Sequence, residues 1–381
     1  MNNPLSSWVR SVRALGLCAA LSCISVAMAA PVYTVTNLVT DDQGAHPAQI
    51  TDTGLTNAWG LSYSPTSPFW VSSNGAGTAT LYRVNPLTQL TTQLGLVVTV
   101  PGIGTGSPTG QVFNNNAAAF NGDSFLFVGE DGTVAGWRGA LGTTAEVLAS
   151  GSSTNVYKGA AFGTIGSNSY LYAANFFTGG IDVIKGSAAA PDLSGSFTDP
   201  NLPAGYAPFN VQDLNGIVYV TYALQDANKQ DEIPGAGAGI VNSFDLNGNL
   251  IRRVASQGTL NAPWGLAIAP GSFGAMAGAL LVGNFGDGRI SAFDLLNNDA
   301  YLGQLLDASN QPLAIDGLWA ISPGNDGSAG SRQMLYFTAG PDGETHGLFG
   351  VLSAVPEPAT HALMLAALVA LMGVVAGRRR A

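Results

Sequence analysis

The sequence NAPWGLAIAP at residues 261–270 is followed by ALLVGNFGDG at residues 279–288 and by RISAFD at residues 289–294. These segments are rich in β-branched and aromatic residues and are separated by Gly, Pro, Asn and Asp, a pattern that favours β-strands joined by turns. They predict a strand, a loop, a second strand, a tight Gly-Asp-Gly turn and a third strand, with a fourth strand at Tyr301 to Leu306. Many of the predicted strands are apolar on both faces, as expected when each sheet packs between two neighbours.

Five further units with this pattern occur at intervals of roughly 40 to 50 residues, the period range of β-propeller blades. Their first strands are predicted at or near Asn57, Ala117 to Phe120, Lys158, Phe209 and Asp316. We therefore predict an all-β, six-bladed β-propeller. A five- or seven-bladed ring would require one unit to be merged or split, and a solenoid or a sandwich is the other alternative.

The two ends of this body are predicted to pair with each other. The last unit contains three predicted strands, whereas Val32 to Val39 alternates like a strand and belongs to no other unit. We expect Val32 to Val39 to supply the fourth strand of the last blade, because this pairing closes the ring and removes two exposed sheet edges.

The N-terminal residues are typical of a secretory signal peptide. Arg10 and Arg13 precede an apolar stretch at residues 14–27, and Ala27-Met28-Ala29 is a small-x-small cleavage site. We predict a signal helix at residues 1–29; a retained helical anchor and a lipobox at residues 21–23 are the alternatives.

Both cysteines, Cys18 and Cys23, lie within this segment. The body, predicted to span residues 30–354, therefore has no disulfide, no thiolate nucleophile and no cysteine-ligated metal.

The C-terminal residues 355–381 predict a sorting segment. Pro356, Glu357 and Pro358 precede a nearly unbroken apolar run at residues 362–376, which is followed by Arg378, Arg379 and Arg380. About fifteen apolar residues form a short transmembrane helix, and the arginines would stay on the cytoplasmic side. A plain C-terminal anchor is the alternative to a sorting signal.

With these motifs in view, the chain resembles a functionally uncharacterised bacterial family of secreted β-propeller-like proteins with a PEP-CTERM tail. The segments that carry the resemblance lie at residues 68–72, 156–159, 202–210, 260–266, 282–290 and 336–349. The Pro-Glu-Pro motif and the terminal arginines resemble the PEP-CTERM sorting signal, which implies recognition by an exosortase. The resemblance implies no catalytic residues, because the family has no established activity.

The charge of the chain argues against a nucleic-acid partner. It has 381 residues, of which only 10% are charged, and a net charge of -10. Binding to phosphates requires clustered Lys and Arg.

Equivalent positions of the six units are predicted to form a shared rim, because the loop that precedes a blade's first strand and the loop after its second strand open on the same face. This rim could hold a hard cation through oxygen atoms or a sugar through stacking and hydrogen bonds. Turns that require Asn or Asp and tryptophans that pack between blades are the structural alternative. The candidates are Asn57, Trp59, Asn74, Glu130, Asp131, Lys158, Asn175, Asn210, Asn261, Trp264, Asn284, Asp287, Asp316, Trp319 and Asp342.

A long loop in the fourth unit, residues 225–239, leaves calcium binding open. Asp226, Asp231 and Glu232 are close together in this loop, but their spacing is not that of an EF-hand and Lys229 lies among them. A solvated acidic loop is the alternative. We predict no cofactor.

These features lead to an exported, surface-associated propeller that acts in binding or structure outside the cell, with exopolysaccharide or another envelope protein as its partner. Nothing requires an enzyme, since His46 and His346 have no Ser or carboxylate partner at a diagnostic spacing. The alternative is a metal-dependent hydrolase or lactonase with a site on the propeller axis. That alternative predicts a divalent cation near Glu130, Asn175, Asn210 and Asp316.

Overall fold

A computed structural model describes residues 31–355 and contains six β-sheets arranged as the blades of one propeller. The all-β, six-bladed prediction is confirmed. The predicted signal segment and the PEP-CTERM tail, residues 1–29 and 356–381, lie outside the described residues. Within residues 31–355, no helix is long and apolar enough to cross a membrane.

The first three blades follow the chain in order, and each is an antiparallel meander. Blade 3 has three strands, and the other two have four. Their strands are β3 (Ala58–Ser62), β4 (Phe69–Ser73), β5 (Thr78–Val84) and β6 (Thr91–Thr99) in blade 1; β7 (Pro108–Phe113), β8 (Phe125–Gly129), β9 (Val134–Trp137) and β10 (Glu146–Ala149) in blade 2; and β11 (Tyr157–Ile165), β12 (Asn168–Asn175) and β13 (Gly180–Lys185) in blade 3.

The last three blades continue the ring, and blade 6 also includes the two N-terminal strands. Their strands are β14 (Tyr206–Leu214), β15 (Ile217–Leu224), β16 (Ile240–Phe244) and β17 (Leu250–Ser256) in blade 4; β18 (Pro263–Ile268), β19 (Leu280–Asn284), β20 (Ile290–Asp294) and β21 (Ala300–Gln304) in blade 5; and β22 (Leu318–Pro323), β23 (Leu335–Ala339), β24 (Leu348–Ala354), β1 (Tyr33–Thr40) and β2 (Ile50–Thr51) in blade 6. The helical turns are the 3-10 helices Phe120–Gly122, Gly139–Leu141 and Gly274–Met276 and the short α-helix α1 (Pro341–Glu344).

The predicted closure of the ring is confirmed. Strand β1 pairs antiparallel with β24, from Tyr33 opposite Ala354 to Thr40 opposite Leu348. The Tyr33 hydroxyl donates to the carbonyl of Phe273 in blade 5 at 3.1 Å. This contact fixes the closing strand to the neighbouring blade as well as to its own.

The first strand of blade 2 differs from the prediction. This strand was predicted at Ala117 to Phe120, whereas in the structure it is β7, Pro108–Phe113. Phe120 and Asn121 have φ values of 50° and 56° and form a 3-10 turn, which is incompatible with a strand. The Gly-rich segment that contains Gly106 and Gly110 has the composition of a loop. Part of it nevertheless forms strand β7, in which small residues allow close packing against the next blade.

The first strand of each blade is the innermost one, and these six strands contact one another in a closed ring around the axis. Glycines allow this approach. A Cβ atom at Gly110 would lie 2.7 Å from the backbone carbon of Gly159 in blade 3, and one at Gly265 would lie 2.7 Å from the Trp319 carbonyl oxygen in blade 6. Real Cβ atoms do not approach backbone this closely, so a larger residue at these positions would push blades apart.

Replacing Gly110 with Ala is expected to lower the free energy of unfolding by about 1–3 kcal/mol, because the added methyl group meets rigid backbone in a fully packed region. Gly95→Ala is the matched control, since Gly95 lies in an exposed strand and a Cβ there would meet no atom within 4 Å. Chemical denaturation of both variants measures the difference. Equal stability of the two would contradict the close packing of the innermost strands.

Candidate functional site at the propeller axis

We call the face on which the innermost strands begin the N-face and the face on which they end the C-face. The loops between the second and third strands of the blades also open on the N-face, because the second strands run antiparallel to the first. Residues near the start of β3, β7, β11, β14, β18 and β22 therefore meet residues from these second loops. Any site on the axis of the N-face is assembled from several blades.

The three candidate tryptophans, Trp59, Trp264 and Trp319, are buried and close the axis below this face. The Trp59 and Trp319 rings stack with centroids 3.7 Å apart, and Phe285 stacks on the other side of Trp319 at 4.0 Å. Trp264 donates from Nε1 to the carbonyl of Lys158 at 2.9 Å. These indoles pack between the blades, which is the alternative to a role in a binding rim. They therefore offer no open ring face on which a sugar could stack.

Lys158 lies above this aromatic layer and is the centre of an ion-pair network. Its side chain is only 2% exposed. Its Nζ atom is 2.6 Å from Glu130 Oε1 and 3.0 Å from Asp231 Oδ1, and it lies 5.3 Å from the centroid of the Trp59 ring. The lysine comes from the innermost strand of blade 3, and its two partners come from the second loops of blades 2 and 4.

Two more carboxyl groups belong to the same region. Glu344, from the second loop of blade 6, accepts a hydrogen bond from Asn57 Nδ2 at 2.6 Å. Glu232 follows Asp231 in the long loop of blade 4, and its charge interacts with both Lys158 and Glu344. We call Glu130, Asp231, Glu232, Glu344 and Lys158 the axial acid cluster.

Two asparagines hold the cluster in place. Asn74 donates from Nδ2 to Glu130 Oε2 at 3.0 Å. Asn57 donates to Glu344, while its own Oδ1 accepts the indole N–H of Trp319 at 2.8 Å. The aromatic layer and the acidic cluster are therefore joined through one amide side chain, which gives Glu344 a fixed position.

The electrostatics of the cluster follow from burial and from excess negative charge. Burial alone would lower the pKa of Lys158, but the carboxylates of Glu130, Asp231 and Glu232 outweigh this effect and raise the pKa. The lysine therefore stays charged. Within residues 31–355, the cluster contains four carboxyl groups and one ammonium group, which pairs directly with Glu130 and Asp231.

Two of the carboxyl groups have raised pKa values, because they are buried and because like charges lie near them. Burial, reinforced by the charges of Glu344 and Asp231, raises the pKa of Glu232 to about 7 against the opposing effect of Lys158. Burial also raises the pKa of Glu344, and the charge of Glu130 adds to this shift. Carboxyl groups with raised pKa values in a polar, partly exposed site are typical of functional sites.

Other candidate positions do not reach the cluster and serve turns or strand packing. Asn175 accepts the backbone N–H groups of Val156 and Thr178 and donates to Asp182. The remaining positions also bond to nearby backbone groups. Asn210 and Asn284 donate to the carbonyls of Trp264 and Thr259, respectively. Asn261, Asp131, Asp287 and Asp316 accept the backbone N–H groups of Gly235, Thr133, Arg289 and Asp342, respectively.

The loop acids proposed for calcium are not arranged as one site. Asp226 accepts the backbone N–H of Gln230 at 2.8 Å and shapes the loop, whereas Asp231 and Glu232 lie in the axial acid cluster. Within residues 31–355, no three His, Cys, Asp or Glu side chains are grouped so that they could hold a metal ion. Of the amides expected near a metal in the hydrolase alternative, Asn175 donates from Nδ2 to Asp182 and Asn210 donates from Nδ2 to the Trp264 carbonyl.

Glu344 and two histidine–aspartate pairs were not predicted from the sequence. Glu344 follows Asp342 and Gly343 in a turn in which all three residues have a left-handed backbone conformation. The sequence of this turn does not indicate where the Glu344 side chain points. His46 Nε2 lies 2.9 Å from Asp342 Oδ2, and His346 Nδ1 lies 2.9 Å from Asp41 Oδ2. These partners are about 300 residues apart in the chain, and only the pairing of β1 with β24 brings them together.

Comparison with known proteins places the chain in a family. It is 33% identical over 338 residues to the "Uncharacterized protein R648" of Acanthamoeba polyphaga mimivirus, and the alignment covers 84% of this chain and 78% of the viral protein. The chain belongs to the family of this viral protein. A second mimivirus relative, "Uncharacterized protein L690", is 36% identical over 203 residues, which cover 52% of this chain and 51% of that protein.

The C-terminal residues 354–380 match the PEP-CTERM protein-sorting motif. The motif marks the protein for export, for sorting to the cell envelope and for processing by an exosortase. The expected sorting signal is therefore confirmed.

Solved structures with this architecture are distant in sequence. A streptogramin B lyase has a TM-score of 0.51 and 12% identity, and the match covers 85% of this chain and 98% of the lyase. An α-L-arabinofuranosidase of Fusarium graminearum with arabinobiose has a TM-score of 0.52 and 11% identity, with coverage of 84% and 98%. At this identity, the similarity establishes the propeller fold and nothing about activity.

Replacing Lys158 with Met is expected to lower the free energy of unfolding by about 1–3 kcal/mol near neutral pH, because the partly buried Glu130, Glu232 and Glu344 lose their counter-charge while the exposed Asp231 contributes little. The loss should shrink as the pH falls to about 5, since Glu232 and Glu344, whose pKa values are raised, take up protons and the repulsion decreases. Lys185→Met is the matched control, because Lys185 pairs with the largely exposed Asp192 and such surface pairs contribute about 0–1 kcal/mol. Similar losses in both variants would contradict the central role of Lys158.

Replacing Glu232 with Gln tests the raised pKa. A carboxyl group whose pKa is raised by folding stabilises the native state fully below its unfolded pKa, and this contribution is lost as the pH rises through about 7. The variant cannot ionise, so its stability relative to wild type should increase by on the order of 2 kcal/mol between about pH 5 and about pH 8. Thermal or urea denaturation across this range measures the effect, and a constant difference would rule out the shift.

Proposed function

We propose that the protein is an exported propeller of the cell envelope that binds an amino-bearing polysaccharide of the extracellular matrix at the axial acid cluster. The observation that supports this proposal is the excess of four carboxyl groups over one ammonium group on the axis. A ligand ammonium group placed among them would add the missing positive charge and would form charge-assisted hydrogen bonds. Hydroxyl groups beside it could donate to the remaining carboxylate oxygens.

The degree of exposure of the cluster suits this role. The side chain of Glu130 is 29% exposed and that of Asp231 is 72% exposed, while Lys158 is buried beneath them. The acids can therefore meet a ligand while the lysine keeps them in position.

The buried indoles refine the expected partner. Because Trp59, Trp264 and Trp319 are enclosed, the ligand would be recognised by charge and hydrogen bonding at this face. An acidic face also repels uronic-acid polymers. The exopolysaccharide that suits the cluster is therefore rich in free amino groups, while neutral polymers should bind weakly and anionic polymers should be excluded.

Binding of the purified full-length chain to beads of chitosan, dextran and alginate tests this proposal. We expect retention on chitosan that decreases steeply as salt is added, weak retention on dextran and none on alginate. Glu130→Gln and Glu344→Gln should each reduce binding to chitosan about fivefold or more, which corresponds to about 1 kcal/mol.

Asp192→Asn supplies the matched control, because it removes one exposed carboxylate away from the cluster and should leave retention unchanged. Equal loss in all three variants would mean that net charge alone causes binding. Retention on alginate equal to that on chitosan would also overturn the proposal.

Hydrolysis is a second candidate, and one observation favours it. Glu232, whose pKa is raised to about 7, lies in the same cluster as Glu130, which is ion-paired with Lys158. Two carboxyl groups in such different environments are the arrangement that glycosidases use for the acid and for its ionised partner. Release of reducing ends from the bound polymer by wild type, and its loss in Glu232→Gln, would favour this candidate over binding alone.

A further inference from the structure

The opposite end of the propeller axis contains a polar cavity. Where β3, β7, β11, β14 and β22 end, a cavity of about 230 Å³ opens on the C-face. A smaller space of about 20 Å³ shares part of its lining and reaches inward to Trp264. We call the larger cavity the C-face mouth; its lining includes Ser62, Gln111, Phe113, Phe162, Gln212 and Asp213.

Gln111 lines this cavity and has one side-chain acceptor that is not used within the protein. The residue is 5% exposed, and its Nε2 donates to the carbonyls of Gly60 at 2.8 Å and Trp70 at 2.6 Å. These two bonds fix the orientation of the amide. Its Oε1 atom is buried and has no hydrogen-bond partner within the described residues. A buried acceptor without a donor costs about 1–3 kcal/mol unless a water molecule pairs with it, so Gln111 makes the inner wall of the cavity polar.

Other groups around the mouth present oxygen atoms as well. Ser62 Oγ is buried and likewise has no partner within residues 31–355. Asp213 accepts the Gly216 N–H through Oδ1 at 2.7 Å, and that bond does not use its second oxygen. Burial raises the pKa of Asp213, and the Gly216 hydrogen bond only partly opposes this shift. The mouth therefore offers several acceptors and little positive charge.

Half-buried aromatic rings complete the lining. Phe113 and Phe162 line the mouth, and Tyr63 lies at its edge with its hydroxyl bonded to the Pro323 carbonyl at 2.7 Å. Aromatic faces next to a few directed acceptors suit a ligand with apolar C–H faces and a rim of hydroxyl donors. The volume lies below the roughly 300 Å³ at which pockets for drug-sized ligands begin, so it suits a single ring.

We propose that the C-face mouth binds one pyranose sugar unit, whose hydroxyl groups donate to the side-chain oxygens of the half-exposed Gln212 and Asp213. The ring packs against Phe113 and Phe162, and Gln212 contacts it from the adjoining strand. This site is independent of the axial acid cluster, because the aromatic layer of Trp59, Trp264 and Trp319 separates the two faces.

The test uses the full-length chain and saturation-transfer NMR with glucose, galactose and N-acetylglucosamine, with glycerol as an acyclic comparison. At least one of the three sugars should show saturable transfer, and glycerol should show none. Gln212→Ala and Asp213→Asn should each weaken that sugar about five- to tenfold. Gln212 makes no side-chain hydrogen bond within the described residues, so its removal should leave the fold intact, which the melting temperature checks.

Gln311→Ala is the matched control, since Gln311 is exposed in a loop away from the mouth and should bind the sugar like wild type. The proposal is overturned if no sugar binds, if both mouth variants bind as wild type does, or if glycerol binds equally well. Retention on chitosan should be unchanged in Gln212→Ala. Either site can therefore fail while the other stands.

Discussion

The antiparallel pairing of β1 with β24 is the contact on which the rest of the molecule depends. It joins the N-terminal strand to the last blade and closes a ring of six sheets with no disulfide in the described part of the chain. Closure places the starting ends of six innermost strands around one axis. It also brings Asn57 beside Glu344 and Asp41 beside His346, pairs that are 287 and 305 residues apart in sequence. The candidate sites on the axis exist only because the ring is closed.

The innermost strands approach one another closely, and the groups along the axis are stacked in layers above and below this contact. Glycines such as Gly110 and Gly265 let neighbouring backbones come together, and the aromatic layer fills the space above them on the N-face. This layer separates an acidic cluster on one face from a cavity with unpaired acceptors on the other. The two ends of one axis therefore differ in charge and in shape, so they would suit ligands of different chemistry.

The six blades are similar in fold but have diverged at equivalent positions. The residue after the second strand is Asn74 in blade 1 and Glu130 in blade 2, and both contribute to the axial acid cluster. At the end of the corresponding strands of blades 3 and 5, Asn175 and Asn284 bind nearby groups of their own blades. Blade 4 reaches the axis with a long loop instead. Each position must therefore be assigned from its own contacts, since repetition alone does not indicate which blades carry function.

The sequence by itself determined the class of the fold, the number of blades, the closing strand and the sorting tail, because these depend on local patterns: short apolar strands, turn residues, a repeat period and a terminal motif. It failed at β7, where the glycines required for close packing resemble a loop. Only the tertiary structure decided which polar residues converge, since Lys158 and its two ion-pair partners come from three blades and their direction depends on loop geometry. It also decided that the tryptophans lie inside the axis, because an indole at the start of a strand suits a rim and a packed core equally well until the neighbouring blades are in place.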